Sequence, residues 1–388
     1  MVIYSHSFAP KVGGAETYVM LLAQGLAQRS QQAAEHDLQV TVVTPTAADE
    51  WDDAALPFRV IRQPHFVRVV RLLWNADVIH LVGPCFVPML IGLASQRPLV
   101  VEHHGYQAIC PNGLLFYSPT KKVCPDYFMA GQYRQCLRCN TVEVGWLKGM
   151  SLLLATFPRR WMCRLVKRNI PISYHLANRL RLPRCQVIYY GIEDSFAAGG
   201  GPLSLSQELV CFAYVGRLVR EKGLPVLAEA ARQLKDQGYQ FRLKFIGDGP
   251  ERRRLEELID SLSLREEVTF TGFLQGNALQ TALENVHAVV MPTLMEETAG
   301  LAVIEHMMRG RLVLASDIGG MGEVVNGAGL KFPAGHVQAL ASCMRRALQE
   351  PNLARVLGEI ARQRALQLFL EQRMVAHHLA VYRELTKK

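Results

Sequence analysis

Two glutamates separated by seven residues form the segment with the most explicit chemistry in this chain. Glu297 and Glu305 lie on either side of Gly300. If a helix begins at Ala302, Glu305 lies in its first turn, where the helix dipole favours a carboxylate. Gly300 permits close approach of a ligand, and the amides that follow, beginning at Leu301, are suited to a diphosphate. The segment predicts a sugar near Glu297 and a ribose near Glu305, although an ordinary helix start beside a surface glutamate explains it equally well.

Two basic residues near a strand end form a second candidate site for phosphate. Gly216 and Arg217 follow the apolar run Leu209–Val215, and Lys222 lies in the loop that Gly223 closes. Fixed cations beside a strand end stabilise the charge of a diphosphate leaving group. A strand followed by basic residues is common, so this segment gains weight only beside the two glutamates.

Two glycine pairs are candidate anion-binding turns. Gly13 and Gly14 follow the first predicted strand and precede the first predicted helix, whose amino end favours a bound anion. This pair has neither the glycine spacing of the dinucleotide fingerprint nor the lysine of a P-loop. Gly319 and Gly320 follow the strand predicted over Arg311–Ala315, where a tight turn without a ligand is the alternative.

Strands and helices that alternate along the chain must position these residues. Short apolar runs alternate with amphipathic stretches, which is typical of parallel sheets covered by helices. The predicted strands are Met1–Ser5, Leu38–Thr44, Asp77–Val82 and Leu99–Glu102 in a first set, and Leu209–Val215, Phe241–Ile246, Glu267–Thr271, Ala288–Met291 and Arg311–Ala315 in a second. The predicted helices are Thr17–Gln28, Leu224–Gln237, Glu251–Leu262, Leu279–Asn285, Ala302–Arg309 and His336–Glu350.

This alternation predicts an α/β fold of two Rossmann-like, doubly wound domains that face each other across a cleft. The first domain covers residues 1–195, with a cysteine-rich insertion at 106–140, and the second covers residues 196–366. The boundary is placed between Ile192 and Glu208, where Gly199–Pro202 has the composition of a linker. One or two helices over residues 367–388 are expected to return to the first domain.

The excess positive charge is confined to the first half of the chain. Residues 1–190 hold 20 Lys and Arg against 11 Asp and Glu, whereas residues 191–388 hold 23 of each, within a net charge of +9. This indicates an anionic partner (acidic lipid, a phosphorylated ligand or nucleic acid), although a solvated basic face is the simpler explanation. No nucleic-acid-binding motif accompanies the charge, which argues against nucleic acid. Without a signal peptide or a long apolar stretch, a cytoplasmic protein with reduced cysteines is predicted.

Taken in order, the motifs resemble those of retaining glycosyltransferases of family 4, which have the GT-B fold. The resemblance covers nearly the whole chain and rests on Gly13–Glu16, Asp77–His80, Glu102–Gly105, Val187–Ile192, Gly216–Arg217, Gly223, Gly247–Pro250, Phe270–Phe273, Glu297–Glu305, Gly319–Gly320 and Glu323. Each motif alone is modest evidence, but the ordered set is strong evidence.

The resemblance implies a role for each matched residue. Arg217 and Lys222 would neutralise the diphosphate of the donor. Glu297 would hold the transferred sugar, and Glu305 the nucleoside ribose. The loop at Gly13–Gly14 would face the donor phosphates or the acceptor.

The same resemblance implies that His104 contacts the sugar near the reacting carbon, with the adjacent His103 as an open alternative. It implies a nucleotide-diphosphate sugar as donor, a glycan or polyprenyl-diphosphate-linked acceptor, retention of the anomeric configuration, and no required metal. The departing phosphate would assist proton removal, so a paired acid and nucleophile are not needed. A nucleotide-sugar epimerase and an inactive sugar- or nucleotide-binding partner of another transferase are the alternatives.

Four cysteines of the insertion form a candidate metal site: Cys110, Cys124, Cys136 and Cys139. The last two are separated by two residues, which suits a zinc knuckle, whereas the other gaps are long and irregular. A subset of the family resembles this chain in its paired cysteines. A structural zinc site that orders the acceptor-side loop and a set of buried thiols both remain open.

The stretch Gly145–Asn169 combines aromatic and aliphatic side chains with six Lys and Arg residues. Such a composition fits a helix that lies on an anionic membrane, here the inner face of the plasma membrane. An ordinary core helix with basic ends is the alternative. Pro158 is expected to break or kink the helix.

Overall fold

The computed structural model describes residues 1–11, 13–32, 38–49, 51–194, 209–350 and 352–387. The chain divides into two compact units: unit 1 is Met1–Glu193 with Phe369–Lys388, and unit 2 is Asp194–Leu368. The linker predicted at Gly199–Pro202 and the boundary residue Glu208 lie outside the described residues.

Unit 1 contains a parallel sheet of six strands and a separate hairpin. The strands in chain order are β1 (Val2–Ser5), β2 (Thr41–Thr44), β3 (Arg59–Arg62), β4 (Ile79–Val82), β5 (Leu99–His103), the hairpin strands β6 (Phe116–Tyr117) and β7 (Lys122–Val123), and β8 (Arg168–Pro171). The sheet order is β3-β2-β1-β4-β5-β8. Every residue of β4 and β5 is buried, as expected for central strands covered on both faces.

Helices cover both faces of this sheet. They are α1 (Gly14–Gln32), α2 (Phe66–Trp74), α3 (Phe86–Ala94), α4 (Tyr133–Val144), α5 (Trp146–Cys163) and α6 (Tyr174–Leu180). Of the two predicted effects of Pro158, a break or a kink, the break does not occur, because α5 continues through this residue. The residue four positions earlier, Leu154, lies on the exposed side, where water can replace the hydrogen bond that proline removes. Among the described helices, none has the length and hydropathy needed to cross a bilayer.

Unit 2 repeats the same architecture. Its strands are β9 (Cys211–Val215), β10 (Arg242–Ile246), β11 (Val268–Gly272), β12 (Ala288–Met291), β13 (Leu312–Ser316) and β14 (Leu330–Phe332). Its helices are α7 (Leu224–Asp236), α8 (Arg252–Ser261), α9 (Gly276–Leu283), α10 (Leu301–Met308), α11 (Gly319–Val325), α12 (Val337–Gln349) and α13 (Leu353–Leu368). The sheet order β11-β10-β9-β12-β13-β14 reproduces that of unit 1. Two doubly wound, Rossmann-like sheets are therefore present, and the predicted α/β fold class is confirmed.

Besides the hairpin strands β6 and β7, three strands of the two six-stranded sheets were not predicted from the sequence. β3 and β8 begin with arginine, and β8 ends in proline, so neither has the apolar run of a buried strand. In β8, Asn169 is buried and donates to the carbonyls of Cys163 and Pro183, which satisfies its polar side chain. β14 has three residues, too few to show a period.

The last helix, α14 (Glu371–Thr386), belongs to unit 1. The amide of Ile192 donates to the carbonyl of Phe369, and the amide of Glu371 donates to the carbonyl of Ile192. On α1, a Cβ atom at Gly25 would lie 2.5 Å from the side chain of Val375, so the glycine allows the two helices to approach closely. Unit 1 is thus completed by residues that follow unit 2 in the chain.

Candidate active site

The amino end of α10 contains two of the predicted donor-binding residues. Gly300 precedes the helix with φ of 77°, a left-handed conformation that glycine adopts without strain. Its carbonyl accepts from the amides of Val303 and Ile304. Within the described ranges, the amides of Leu301 and Ala302 have no acceptor. Two unused donors at a helix amino end suit an anionic ligand.

Glu305 is not in the first turn of this helix. Because α10 begins at Leu301, Glu305 is its fifth residue, and the predicted dipole stabilisation of its carboxylate is wrong. Burial raises the pKa of Glu305, against an opposing effect of Arg309. A partly desolvated carboxyl at this position gains from a ligand that donates hydrogen bonds to it.

Glu297 and Lys222 form an ion pair, Lys222 Nζ donating to Glu297 Oε1. Their side chains are 17% and 23% exposed, respectively. Lys222 ends the 3-10 turn Arg220–Lys222, which is held to the segment after β12 because the amide of Leu294 donates to the carbonyl of Glu221. The two residues assigned to sugar and diphosphate are therefore direct neighbours.

The predicted glycine pair packs directly against the loop that contains Glu297. A Cβ atom at Gly320 would lie 2.1 Å from the carbonyl oxygen of Thr298, and one at Gly319 would lie 2.5 Å from that of Glu297. The amide of Gly320 donates to the Glu297 carbonyl over 2.6 Å. The glycines allow the start of α11 to support the loop, a role that the sequence did not indicate.

Arg217 lies at the end of β9 beside Gly216, and its side chain is exposed. The hydroxyl of Tyr214 donates to the Arg217 carbonyl over 2.8 Å. Burial, with Glu297 and Glu221, raises the pKa of Tyr214, and Arg217 opposes this. The predicted donor residues of unit 2 are thus gathered at the carboxyl ends of β9, β12 and β13.

In unit 1, the two candidate histidines have different environments. His103 is fully buried, and its Nε2 lies 2.8 Å from Asn169 Oδ1. Burial lowers the pKa of His103 to about 4, so its ring is neutral at pH 7. The side chain of His104 keeps 11% exposure, and its Nδ1 lies 2.6 Å from the hydroxyl of Tyr190. His103 is placed as a core residue, whereas His104 reaches the edge of the sheet.

The loop of Gly13 and Gly14 lies near His104. Gly14 is the first residue of α1, and a Cβ atom at Gly13 would lie 2.4 Å from Oε2 of Glu16. Burial lowers the pKa of His104, and the charge of Glu16 is among the opposing effects. The ring of Tyr18, also on α1, lies 4.7 Å from the ring of His104. The predicted residues of unit 1 therefore share the carboxyl edge of its sheet.

Sequence reasoning missed a buried polar network centred on Glu102. Its Oε2 lies 2.5 Å from the Tyr18 hydroxyl, 2.9 Å from His80 Nε2 and 3.5 Å from His378 Nε2. Its Oε1 lies 3.5 Å from His104 Nε2. Burial alone would raise the pKa of Glu102, but His104 and the hydrogen bonds from His378 and His80 outweigh burial and hold it well below its usual range. A matched motif did include Glu102, yet its partners are too distant in sequence to have been found.

The four cysteines are buried near one another. Cys110 Sγ lies 3.0 Å from Asn112 Oδ1, and the side-chain nitrogen Nδ2 of Asn112 lies 3.8 Å from Cys139 Sγ. Burial raises the pKa of Cys110 to about 11 and that of Cys136 to about 12. Within the described residues, the set with ligand atoms within 4.8 Å of one another is His80, Glu102 and His378, not the cysteines. The four sulfur atoms would have to move closer to one another to coordinate one metal ion, so the zinc site stays a prediction.

Two cavities lie away from these residues. One of about 870 Å³ lies in unit 1 at the amino ends of the strands, bounded by Val2, Thr41, Val78 and Tyr382. The other, of about 400 Å³, lies in unit 2 between the 3-10 turn, α7 and α8. Ligands of doubly wound sheets bind at the carboxyl ends of the strands, so the first cavity is at the opposite edge from the predicted site.

Comparison with known proteins relates unit 2 to sugar transfer. Residues 203–364 match the family model described as Glycosyl transferases group 1. The chain is 33% identical over 150 residues to the alpha-D-kanosaminyltransferase of Streptomyces kanamyceticus, covering 38% of this chain and 39% of that protein. It is 30% identical over 216 residues to the putative colanic acid biosynthesis glycosyltransferase WcaL of Salmonella typhimurium, covering 54% and 50%, respectively. The chain thus aligns with half or less of the length of these curated relatives.

Solved structures resemble the whole chain. Anabaena Alr3699/HepE in complex with UDP matches with a TM-score of 0.72 at 18% identity, covering 99% of both chains. WaaG, a glycosyltransferase involved in lipopolysaccharide biosynthesis, matches with a TM-score of 0.67 at 17% identity, covering 100% of both. The chain accordingly has the GT-B fold, and the match to the group 1 glycosyltransferase model falls within unit 2.

Proposed function

We propose that this chain, whose second unit matches the group 1 glycosyltransferase model, is a retaining glycosyltransferase of family 4 type. It transfers a sugar from a nucleotide-diphosphate sugar to a glycan or lipid-linked acceptor in cell-surface polysaccharide biosynthesis. The observation that carries this proposal is the set of groups at one edge of the unit 2 sheet. A cation at Lys222, a carboxylate at Glu297 and the unused amides at the start of α10 are what a diphosphate and a sugar require.

The ion pair of Lys222 and Glu297 suggests how the donor is bound. A diphosphate competes for Lys222, and Arg217 adds a second cation. Once Lys222 is taken up by phosphate, Glu297 is left to accept hydrogen bonds from sugar hydroxyls. A partly exposed pair contributes only about 0–1 kcal/mol, so this exchange costs little. Glu305 accepts from ribose hydroxyls, and His104 of unit 1 contacts the sugar near the reacting carbon.

A screen of donors tests this assignment. Purified protein is expected to be stabilised in a thermal-shift assay by one of UDP-, GDP-, ADP- or dTDP-sugars and to hydrolyse it slowly. The resemblance to a UDP complex makes the UDP-sugars the first choice. Protein that is neither stabilised by, nor active on, any of the four classes would contradict donor binding.

The substitution Glu297→Gln tests the role of the carboxylate. Turnover of the donor found in the screen is expected to fall by about 10²–10³-fold, because a group that holds the reacting sugar is lost. Glu284→Gln, at the exposed carboxyl end of α9, is the matched control and should leave turnover unchanged. Wild-type turnover in Glu297→Gln would refute the role.

We also propose that α5 binds the inner face of the plasma membrane. Leu147, Leu154 and Trp161 recur every seven residues, share one face of the helix, and are 78%, 60% and 61% exposed. Exposed Lys148 and Arg164 lie on the same helix or at its end. An apolar stripe beside basic residues is suited to an anionic bilayer surface and to a polyprenyl-diphosphate-linked acceptor.

Vesicle sedimentation tests the membrane proposal. The protein is expected to bind vesicles that contain phosphatidylglycerol more tightly than neutral vesicles. Replacing Leu147, Leu154 and Trp161 with serine should abolish binding, whereas Val356→Ser in unit 2, which also removes an exposed apolar side chain, should not. Equal binding to both vesicle types, or none, would contradict it.

The cysteines of the insertion are proposed to hold a structural metal on the acceptor side. Two of the four thiols, Cys110 from the loop after β5 and Cys139 on α4, contact the side chain of Asn112, which supports a shared function. Metal analysis of the purified protein should find about one equivalent of zinc or iron per chain. Less than about a tenth of an equivalent would instead favour buried thiols.

A further inference from the structure

We infer that the terminal helix α14 positions His104, acting through His80 and Glu102, so that His80, His378 and Tyr382 are positioning residues of the active site. The inference rests on the proposed function for the role of His104 in transfer. His378 and Tyr382 lie more than 270 residues after His104 in the chain.

The hydrogen-bond partners determine which atoms donate. Tyr382 approaches His80 Nδ1 at 2.8 Å, while His80 Nε2 approaches Glu102 Oε2 at 2.9 Å. Burial lowers the pKa of His80, so its ring has one proton. Because an ionised carboxylate only accepts, that proton is on Nε2, and Nδ1 accepts from the hydroxyl of Tyr382. Glu102 therefore selects the tautomer of His80, and the hydrogen bond from Tyr382 reinforces it.

His378 provides the second connection from α14. Its Nδ1 lies 2.8 Å from the carbonyl oxygen of Met374, which only accepts. Its Nε2 lies 3.0 Å from the Tyr18 hydroxyl and 3.5 Å from Glu102 Oε2. One residue of α14 thus contacts both the carboxylate and the tyrosine that donates to it. All of these side chains are fully or almost fully buried, so water does not compete for the contacts.

Glu102 passes this restraint to His104. Oε2 is hydrogen-bonded to Tyr18 and His80 and lies 3.5 Å from His378, which leaves Oε1 as the oxygen that faces His104, 3.5 Å from its Nε2 in an electrostatic contact. An acceptor on that side favours the tautomer of His104 with its proton on Nε2, and Nδ1 then accepts from Tyr190. His104 Nδ1 is hydrogen-bonded to Tyr190, and Nε2 faces the Glu102 carboxylate at ion-pair distance. Glu102 and Tyr190 thereby restrain the orientation of the His104 ring at the sheet edge.

Histidine NMR tests the inference without any dependence on turnover. In protein labelled with ¹⁵N-histidine, with the His104 signals assigned from His104→Asn, the wild type is expected to show the Nε2-protonated tautomer. In Tyr382→Phe and His378→Gln, the His104 signals should shift toward a mixture of tautomers. His377→Gln, on the same helix but outside the network, is the matched control and should leave them unchanged.

Kinetics on the donor found in the screen provide the second readout. In Tyr382→Phe and His378→Gln, kcat should fall by about 10-fold with a shifted pH profile, while the KM for the donor, held by unit 2, stays within about twofold. Tyr382→Phe removes one hydroxyl and keeps the fold testable if His378→Gln is poorly folded. Unchanged His104 signals and kcat in Tyr382→Phe would overturn the inference. A His104 tautomer that responds as expected in a protein without transferase activity would instead overturn the proposed function alone.

Discussion

Glu102 of unit 1 and Glu297 of unit 2 are both glutamates, but they differ in burial and in the number of their partners. Glu102 is completely buried among Tyr18, three histidines and the terminal helix, whereas Glu297 is paired with one lysine and partly exposed. The first carboxylate has its partners inside the protein, and removing it leaves buried donors unsatisfied. The second has a partner that a ligand can displace. The contrast separates a charge that maintains the fold from a charge available for binding.

The sharpest test is the same substitution at both positions. Glu102→Gln should lower the free energy of unfolding by about 3 kcal/mol, because a buried charge with several hydrogen-bonded partners is lost. Glu297→Gln should change it by less than about 1 kcal/mol, as is usual for partly exposed pairs. Chemical denaturation followed by circular dichroism measures both, and similar losses at the two positions would remove the distinction.

A second test disturbs the support of Glu297 without changing its charge. Gly320→Val places a side chain against the carbonyl oxygen of Thr298, where even a Cβ atom would lie at 2.1 Å. The loop must move, and a displacement of about 1 Å at a reacting group lowers turnover about 100-fold. Ala278→Val, at an exposed position of α9, is the control for enlarging a side chain in unit 2. Turnover reduced equally by both variants would show that the loop contact is not the cause.

The pH dependence of stability tests the buried polar residues of unit 1, here through His103. Burial lowers the pKa of His103 to about 4 in the folded protein, from an ordinary value of 6.5. Between these values the unfolded chain binds a proton that the folded chain does not, so stability falls as the pH is lowered. From pH 7.5 to 5 the loss from His103 is about 2 kcal/mol. His103→Gln should show a shallower loss in denaturant titrations at the two pH values, and an identical slope would contradict the neutral buried ring.

The smallest expected effect concerns the Arg217 loop. Tyr214→Phe removes the hydroxyl that donates to the Arg217 carbonyl, a bond that contributes about 1 kcal/mol. Affinity for the nucleotide diphosphate, measured by calorimetry with UDP, is expected to fall about fivefold while the fold is retained. Phe245→Leu, a conservative change of a core neighbour of Tyr214, should leave affinity for UDP unchanged. If it weakens binding as much, the effect comes from packing and not from the hydroxyl.

The sequence predicted unit 2 better than unit 1. The donor groups of unit 2 belong to short motifs, because each lies just after a strand, and parallel strands bring their carboxyl ends to one edge. Leu301, Glu297 and Gly319 could therefore be expected at one edge of the sheet, whereas the roles predicted for them came from the resemblance of the ordered motifs. What the pattern did not provide was the direct pairing of Lys222 with Glu297 and the contact of Gly320 with the loop, since both depend on atomic distances between separate segments.

The network of unit 1 was inaccessible to the same reasoning. Tyr18, His80 and His378 come from three distant segments, and each alone is an ordinary residue of a helix or strand. The choice between His103 and His104 remained open for a related reason. Adjacent residues of a strand point to opposite faces, and only the partners on each face, Asn169 and Tyr190, distinguish them.

The discontinuity of unit 1 has a consequence for synthesis on the ribosome. Unit 2 is one continuous segment and has all its strands once Leu368 has emerged, whereas unit 1 lacks α14 until the residues that follow unit 2 have been synthesised. Until then Glu102 and His80 lack their contacts with His378 and Tyr382, so the polar network of the unit 1 sheet is incomplete. Domains generally fold in order of synthesis, but here the first to emerge is the last to be completed. The chain is therefore expected to depend on chaperones while unit 1 waits for its final helix.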